Sequence, residues 1–260
     1  MIRTVVETLS RGRVFRKRLP DYFGGDAIYV TPESGVCYLT KSLRKIDVRL
    51  QDRLREFVKP DSRVWDVGAN VGWVSFASAF LAGAGGEVVA IEPDTTLVSL
   101  LRRSLKLQSS GRAPVSIVPV AVSQDVGVAR FEVDQRGRAW NHFEGLGRNN
   151  RRGTREVNLV PTTTLDQLLG TFAPPTFVKI DVEGAEVMVL KGGARLLREH
   201  RPVIMCEVGP QYSEPVTALL REFDYEIFDA DYGPGERKPV PAAPWDTLAI
   251  PKERAAGASE

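Results

Sequence analysis

Residues 64–73 read Val-Trp-Asp-Val-Gly-Ala-Asn-Val-Gly-Trp, an apolar run that ends in a glycine-containing turn and leads into a helical pattern. Val64, Trp65 and Val67 suit a buried strand. Gly68 and Gly72 permit a tight turn with close backbone approach to a ligand, and Asn70 is placed to cap the following helix. A second strand pattern, Val88-Val89-Ala90-Ile91, ends in Glu92, 20 residues after Gly72. In open α/β sheets a carboxylate at about that distance beyond the glycine turn accepts hydrogen bonds from ribose hydroxyls, so an adenosine-type cofactor is expected. A dinucleotide fingerprint needs a G-x-G-x-x-G array, but Asn70 and Trp73 stand where its second and third glycines fall. The turn has no G-x-x-x-x-G-K-[ST] phosphate loop either. Asp66, ahead of the first glycine, favours a cationic ligand over a pyrophosphate. S-adenosylmethionine fits, with a ribose, a sulfonium and an ammonium group but no phosphate.

The stretch resembles motif I of S-adenosylmethionine-dependent methyltransferases, and Asp66-Val67-Gly68-Ala69-Asn70-Val71-Gly72 resembles the FkbM family in particular. Further segments agree, in the family's order: Thr164-Leu165-Asp166, the run from Val178 through Asp181 and Glu183 to Glu186, and the run from Arg201 through Glu207 to Val208. The resemblance covers roughly residues 60–251. It implies a Rossmann-like class I methyltransferase fold, α/β, with a mostly parallel seven-stranded sheet and helices on both faces. It also implies S-adenosylmethionine as cofactor and O-methylation of a hydroxyl on a sugar, polyketide or other secondary metabolite, as in secondary metabolite biosynthesis.

The pattern along the chain agrees with such a fold. Strand and helix signals alternate from residue 64 to residue 122, which predicts a parallel sheet with right-handed crossovers and a ligand at the strands' carboxyl ends. Residues 115–122 read as a third strand, and Ala121 lies where methyltransferase folds bring backbone to the adenine. Residues 225–228 and 247–250 resemble the closing antiparallel pair. The division expected is an N-terminal helical and extended appendage over residues 1–60, a methyltransferase domain over 61–251 and a disordered tail over 252–260. Residues 1–20, with Arg3, Arg11, Arg13, Arg16, Lys17 and Arg18 among apolar positions, can form a basic amphipathic helix that packs on the domain, docks an acidic partner or serves as a lid. Residues 30–40 look extended, and residues 46–58 have helical spacing.

Composition limits the alternatives. With 35 basic and 33 acidic residues the formal charge is +2, so bulk charge does not favour nucleic acid. Cys37 and Cys206 lie far apart with no disulfide framework or zinc spacing. No signal-peptide core or membrane-length apolar run is visible, and a cytoplasmic setting is expected.

Three residues are candidates for the chemistry. Asp181 ends a buried strand pattern beside motif I and is expected to face the methyl donor or the acceptor hydroxyl. Lys179, two residues earlier, shares its face and could pair with it or lower an acceptor's pKa. His142 lies in Trp140-Asn141-His142-Phe143, within the arginine- and glycine-rich stretch 136–153. Its ordinary pKa of about 6.5 suits a base, and a well-placed base contributes roughly 10²–10⁴-fold in rate. Glu183 and Glu186 suit a helix N-terminus. No metal site is expected, because spacing alone gives no converging oxygen set. The expected reaction is methyl transfer by in-line displacement to a small-molecule hydroxyl acceptor, free or on a carrier protein. The competing readings are a catalytically silent cofactor- or partner-binding module and an NAD-dependent oxidoreductase. Nucleic-acid methylation is disfavoured, with the arginines of 148–155 its only support.

Overall fold

The computed structural model describes residues 11–135, 137–146 and 153–255. Strands β1 (Phe15–Arg18) and β2 (Ala27–Val30), helix α1 (Cys37–Thr40) and helix α2 (Val48–Phe57) precede the first strand of the large sheet, β3 (Arg63–Val67). Then follow α3 (Trp73–Ala82), β4 (Glu87–Ile91), α4 (Thr95–Leu105), β5 (Val115–Val118), β6 (Ala121–Val122), β7 (Gly127–Asp134), β8 (His142–Phe143) and β9 (Thr154–Thr163). The chain continues through α5 (Leu165–Leu168), β10 (Phe177–Ile180), α6 (Glu186–Lys191), β11 (Val203–Glu207), α7 (Ser213–Glu222), β12 (Tyr225–Asp229), β13 (Asp246–Pro251) and α8 (Lys252–Ala255). No helix among the described residues is long and apolar enough to cross a membrane.

The large sheet runs β12-β13-β11-β10-β3-β4-β5 among the described residues. Strands β11, β10, β3, β4 and β5 are parallel, and β13 and β12 close the sheet in antiparallel register. The period-2 alternation of a strand splits the buried residues into two cores, which is why these strands read as continuous apolar runs. Val64, Val88, Phe177, Met205 and Leu248 join the core beneath α3, α4 and the N-terminal segment. Trp65, Val89, Val178, Ile204 and Ala249 join the core beneath α5, α6 and α7. Trp65 is fully buried, so its truncation to alanine costs about 3–5 kcal/mol.

The chain fills the sheet outward from β3 to β5, then returns to place β10 on the other side of β3. Strand order therefore reverses between β3 and β10, and open α/β sheets bind ligands at the carboxyl ends of the strands flanking such a point. Strands β6, β7, β8 and β9 form a separate sheet ordered β6-β9-β7-β8, with Phe131, Phe143, Val160 and Ala121 packed together on one side.

Several local expectations are corrected. Residues 15–18 form a strand paired with β2, not a helix, because Phe15 and Lys17 turn inward while Arg16 and Arg18 face solvent; residues 1–10 lie outside the described residues. Residues 30–40 are not extended: Thr31 caps a 3-10 turn at Pro32–Ser34 and α1 follows. Phe23, Ile28, Leu43 and Leu54 of the N-terminal segment are buried in the same core as Val64 and Phe177. At the other end, Lys252–Ala255 is helical, with Glu253 held by Arg201; residues 256–260 lie outside the described residues.

Candidate active site

The turn after β3 is positioned by backbone bonds to both neighbours. Gly68 and Ala69 donate to the Ile91 carbonyl at the end of β4, each at 3.0 Å, and Asp181 donates to Val67, also at 3.0 Å. Gly68 has a φ of +81°, and a Cβ there would lie 1.9 Å from the Asp181 carbonyl oxygen. Only glycine satisfies both the left-handed backbone and the contact with β10.

Asn70 also has positive φ, +53°. It does not cap α3, whose N-cap is Gly72 with no side-chain bond. Instead its amide donates to Glu92 Oε2 at 2.8 Å, while Asp94 N donates to Glu92 Oε1 at 2.9 Å. Burial pushes the Glu92 carboxyl up to about 7, with those two amides pulling the other way. The Asn70 Oδ1 atom is buried with no hydrogen-bond partner.

Both residues line a cleft at the carboxyl ends of β3, β4 and β10. Gly68, Ile91, Leu97 and Ala121 form its floor, Asp181, Val182 and Glu183 one end, and Phe131, Arg138, Asn141 and Phe143 of the β6–β9 insert its outer wall. Asp94 ties that wall down. Its Oδ1 caps α4 through Thr96 N and Leu97 N, while its Oδ2 accepts Arg138 Nη1 at 2.5 Å and Asn141 Nδ2 at 2.8 Å.

Asp66 and Gly72 do not line the cleft. Asp66 lies beneath it, fully buried, accepting Ser75 Oγ at 2.5 Å with Lys179 Nζ 3.8 Å away. Burial raises its pKa, opposed by Lys179 and Ser75. Gly72 faces Leu101 and Phe76, so its lack of a side chain serves packing.

Lys179 donates to Gly68 O at 3.2 Å and to Asp181 Oδ2 at 3.1 Å. Burial opposes its charge, but Asp181 and Asp66 hold its pKa above the ordinary lysine value. A lysine held charged in this way orients Asp181 and the glycine turn and takes up no proton.

His142 lies apart from Asp181 and Lys179. It sits on β8 opposite Glu132 of β7, on the face away from Phe131 and Phe143. Alternation along the strand therefore directs Asn141 and Phe143 into the cleft and His142 out of it. Its Nδ1 meets the Trp140 carbonyl at 2.8 Å and its Nε2 lies 3.3 Å from Glu132 Oε2, so both ring nitrogens are occupied outside the cleft.

Comparison with known proteins gives the family. The model of the methyltransferase FkbM domain matches residues 66–227, from the acid of β3 to β12. The chain belongs to the FkbM methyltransferase family. Hexuronic acid methyltransferase AglP of Haloferax volcanii is 29% identical over 173 residues, and the match spans 65% of this chain and 65% of that protein. An FkbM methyltransferase structure from Methylobacillus flagellatus KT superposes with a TM-score of 0.44 at 16% identity, over 95% of this chain and 57% of that one. Aeropyrum pernix fibrillarin with bound S-adenosyl-L-methionine gives 0.44 at 13% identity, over 93% and 82%. The cofactor of this methyltransferase family is S-adenosylmethionine, and the cleft fits it on two counts: an orphaned Asn70 oxygen and a buried glutamate both face the space where a ribose and its neighbours can bond.

Sequence reasoning missed the tie that holds the outer wall in place. Asp94 was legible only as a helix cap, and Arg138 is 44 residues away from it in the chain, so no local pattern links the two.

Proposed function

We propose that this chain is an S-adenosylmethionine-dependent O-methyltransferase acting on a hydroxyl of a sugar or sugar-bearing small molecule. The observation that carries the reading is one cleft lined by Glu92, Asn70 and Asp181 together. The named substrate of the Haloferax relative, a hexuronic acid, supports a sugar as the acceptor class.

S-adenosylmethionine supplies an electrophilic methyl group when bound. Glu92 accepts hydrogen bonds from the ribose hydroxyls, Asn70 offers its side-chain oxygen, and Leu97 and Ala121 give the adenine apolar surface. Asp181 takes the proton of the acceptor hydroxyl on Oδ1, which has no hydrogen bond among the described residues, while Lys179 fixes Oδ2. Alignment of the reactants carries much of the rate, since oriented reactions reach effective molarities of about 10⁵–10⁸ M. Phe131 and Phe143 exclude water from the insert side. His142, facing out of the cleft, has no part in this account.

The test is release of S-adenosylhomocysteine from S-adenosylmethionine in the presence of a panel of sugars, glycosides and hydroxylated aglycones. Acceptor-dependent release from a sugar, abolished in Asp181→Asn, is the expected result. Release only with amine or thiol acceptors contradicts O-methylation.

A further inference from the structure

Glu33 has no part in the mechanism above, yet its carboxylate gathers groups from three separate stretches of the chain. It stands on the 3-10 turn that Thr31 caps, and its side chain is only 9% exposed. Oε1 accepts the Gly12 amide at 2.9 Å, and Oε2 accepts Arg155 Nη1 of β9 at 2.8 Å, with Arg138 Nε 3.6 Å away. Burial opposes its charge, but the Gly12 amide, Arg155 and Arg138 hold its carboxyl below the ordinary glutamate value, so it is an anion at neutral pH.

Arg138 is thereby placed between two carboxylates. Its Nη1 donates to Asp94 Oδ2, while its Nε, buried and without a hydrogen bond, makes its ion-pair contact with Glu33. Only 13% of the Arg138 side chain and 3% of that of Asp94 are exposed, so solvent ions screen these contacts weakly. Asp94 in turn donates its own amide to Glu92 Oε1. Glu33, Arg138, Asp94 and Glu92 thus form one run of ion pairs and hydrogen bonds from the N-terminal turn to the buried acid of the cleft.

The backbone makes the same connection without charge. Gly137 packs so closely on the N-terminal turn that a Cβ there would lie 2.6 Å from the Glu33 carbonyl oxygen. Nearby, Arg11 Nη2 donates to the Gln135 carbonyl at 2.6 Å. Gly137 opens the turn Arg138–Trp140, and Arg138 and Ala139 of that turn line the cleft beside Leu97 and Phe131. The insert therefore carries part of the cleft wall on a turn that the N-terminal segment grips from outside. Removing the charge of Glu33 leaves Arg138 with one anion in place of two, and a buried cation that has lost a partner is costly to keep in place.

Building on the reading of the cleft as the S-adenosylmethionine site, we propose that Glu33 is a positioning residue for the cofactor. It acts through Arg138, holding the outer wall where it closes the cleft over the bound nucleoside, so that the N-terminal turn sets how fast the cofactor and its product leave.

The test measures association and dissociation rates of S-adenosylhomocysteine by stopped flow in the wild type, Glu33→Gln, Arg138→Ala and the double variant, with the thermal midpoint of each ligand-free protein alongside. Glu33→Gln is expected to raise the dissociation rate roughly three- to tenfold and to leave the association rate within about twofold, as for loss of one partner of a buried charge pair. In the Arg138→Ala background the same substitution is expected to add less than about twofold, because the two side chains act as one unit. Gly137→Ala, which keeps every charged group and pries the two turns apart, is expected to speed dissociation as well. A lowered thermal midpoint with an unchanged dissociation rate marks Glu33 as structural only and overturns the proposal. So do effects of Glu33→Gln and Arg138→Ala that multiply in full in the double variant. Should Glu33→Gln fail to fold, Gly137→Ala decides, and an unchanged rate there overturns the proposal. Failure of the wild type to bind S-adenosylhomocysteine is a different result and sinks the cofactor reading itself.

Discussion

Replacing Glu92 with glutamine should change how cofactor affinity depends on pH. In the free protein burial raises the Glu92 carboxyl from 4.5 to about 7. Ribose hydroxyls donate best to the ionised form, so binding draws on the ionised fraction only. That fraction is about one-eleventh at pH 6 and about ten-elevenths at pH 8, so the apparent dissociation constant should fall about tenfold over that interval, roughly 1.4 kcal/mol. Glu92→Gln keeps the shape and removes the titration. It should bind roughly 10–100-fold more weakly than wild type at pH 8, the loss expected for hydrogen bonds to a charged acceptor, with the pH slope abolished. Isothermal titration with S-adenosylhomocysteine at pH 6, 7 and 8 measures both quantities. A wild-type affinity constant across the range, or a slope that survives in the variant, refutes the assignment.

The same shift has a consequence for stability. Between pH 4.5 and 7 the folded protein holds a proton on Glu92 that the unfolded chain has released, so stability falls as pH rises through that window. The loss in the ligand-free protein should be about 3 kcal/mol larger than in Glu92→Gln, read from urea unfolding at both ends of the window. Asp66→Ala is expected to cost about 3 kcal/mol, the lower end for breaking a buried pair, because Lys179 keeps Asp181. Chemical denaturation measures it, and a loss below about 1 kcal/mol contradicts the buried pairing. Arg138→Ala should loosen the outer wall, leaving Asn141 as its tie to Asp94, and raise the dissociation rate of S-adenosylhomocysteine severalfold in stopped-flow measurements, with an unchanged rate refuting the role of the arginine. His142→Ala should leave turnover within about twofold of wild type, and a fall of 100-fold or more would restore it as a base.

The parts legible in the sequence are those governed by short-range pattern. The strand–turn–helix at residues 64–82, the buried β4 and β10, and the acids that end them follow from apolar runs, a left-handed glycine and a fixed spacing. The antiparallel closing pair was legible from the resemblance. What sequence did not supply depends on contacts made across the chain. The direction of His142 follows from its register with Glu132, which a loop-like composition conceals. Asp66 looks like a ligand group in the sequence and proves to be a buried counter-ion, because Lys179 arrives from a strand that is distant in the chain and adjacent in the sheet. Asn70 has a capping residue's chemistry, but its positive φ turns its amide toward Glu92. The basic spacing of residues 11–18 suited a helix, and pairing with β2 made residues 15–18 a strand.

The central claim is that the cleft between β3, β4 and β10 receives S-adenosylmethionine. Calorimetric titration of the wild-type protein with S-adenosylhomocysteine, with NAD as the control ligand, tests it most directly. The account predicts one-to-one micromolar binding of S-adenosylhomocysteine and none of NAD. Binding of NAD in its place, or of neither, would contradict it.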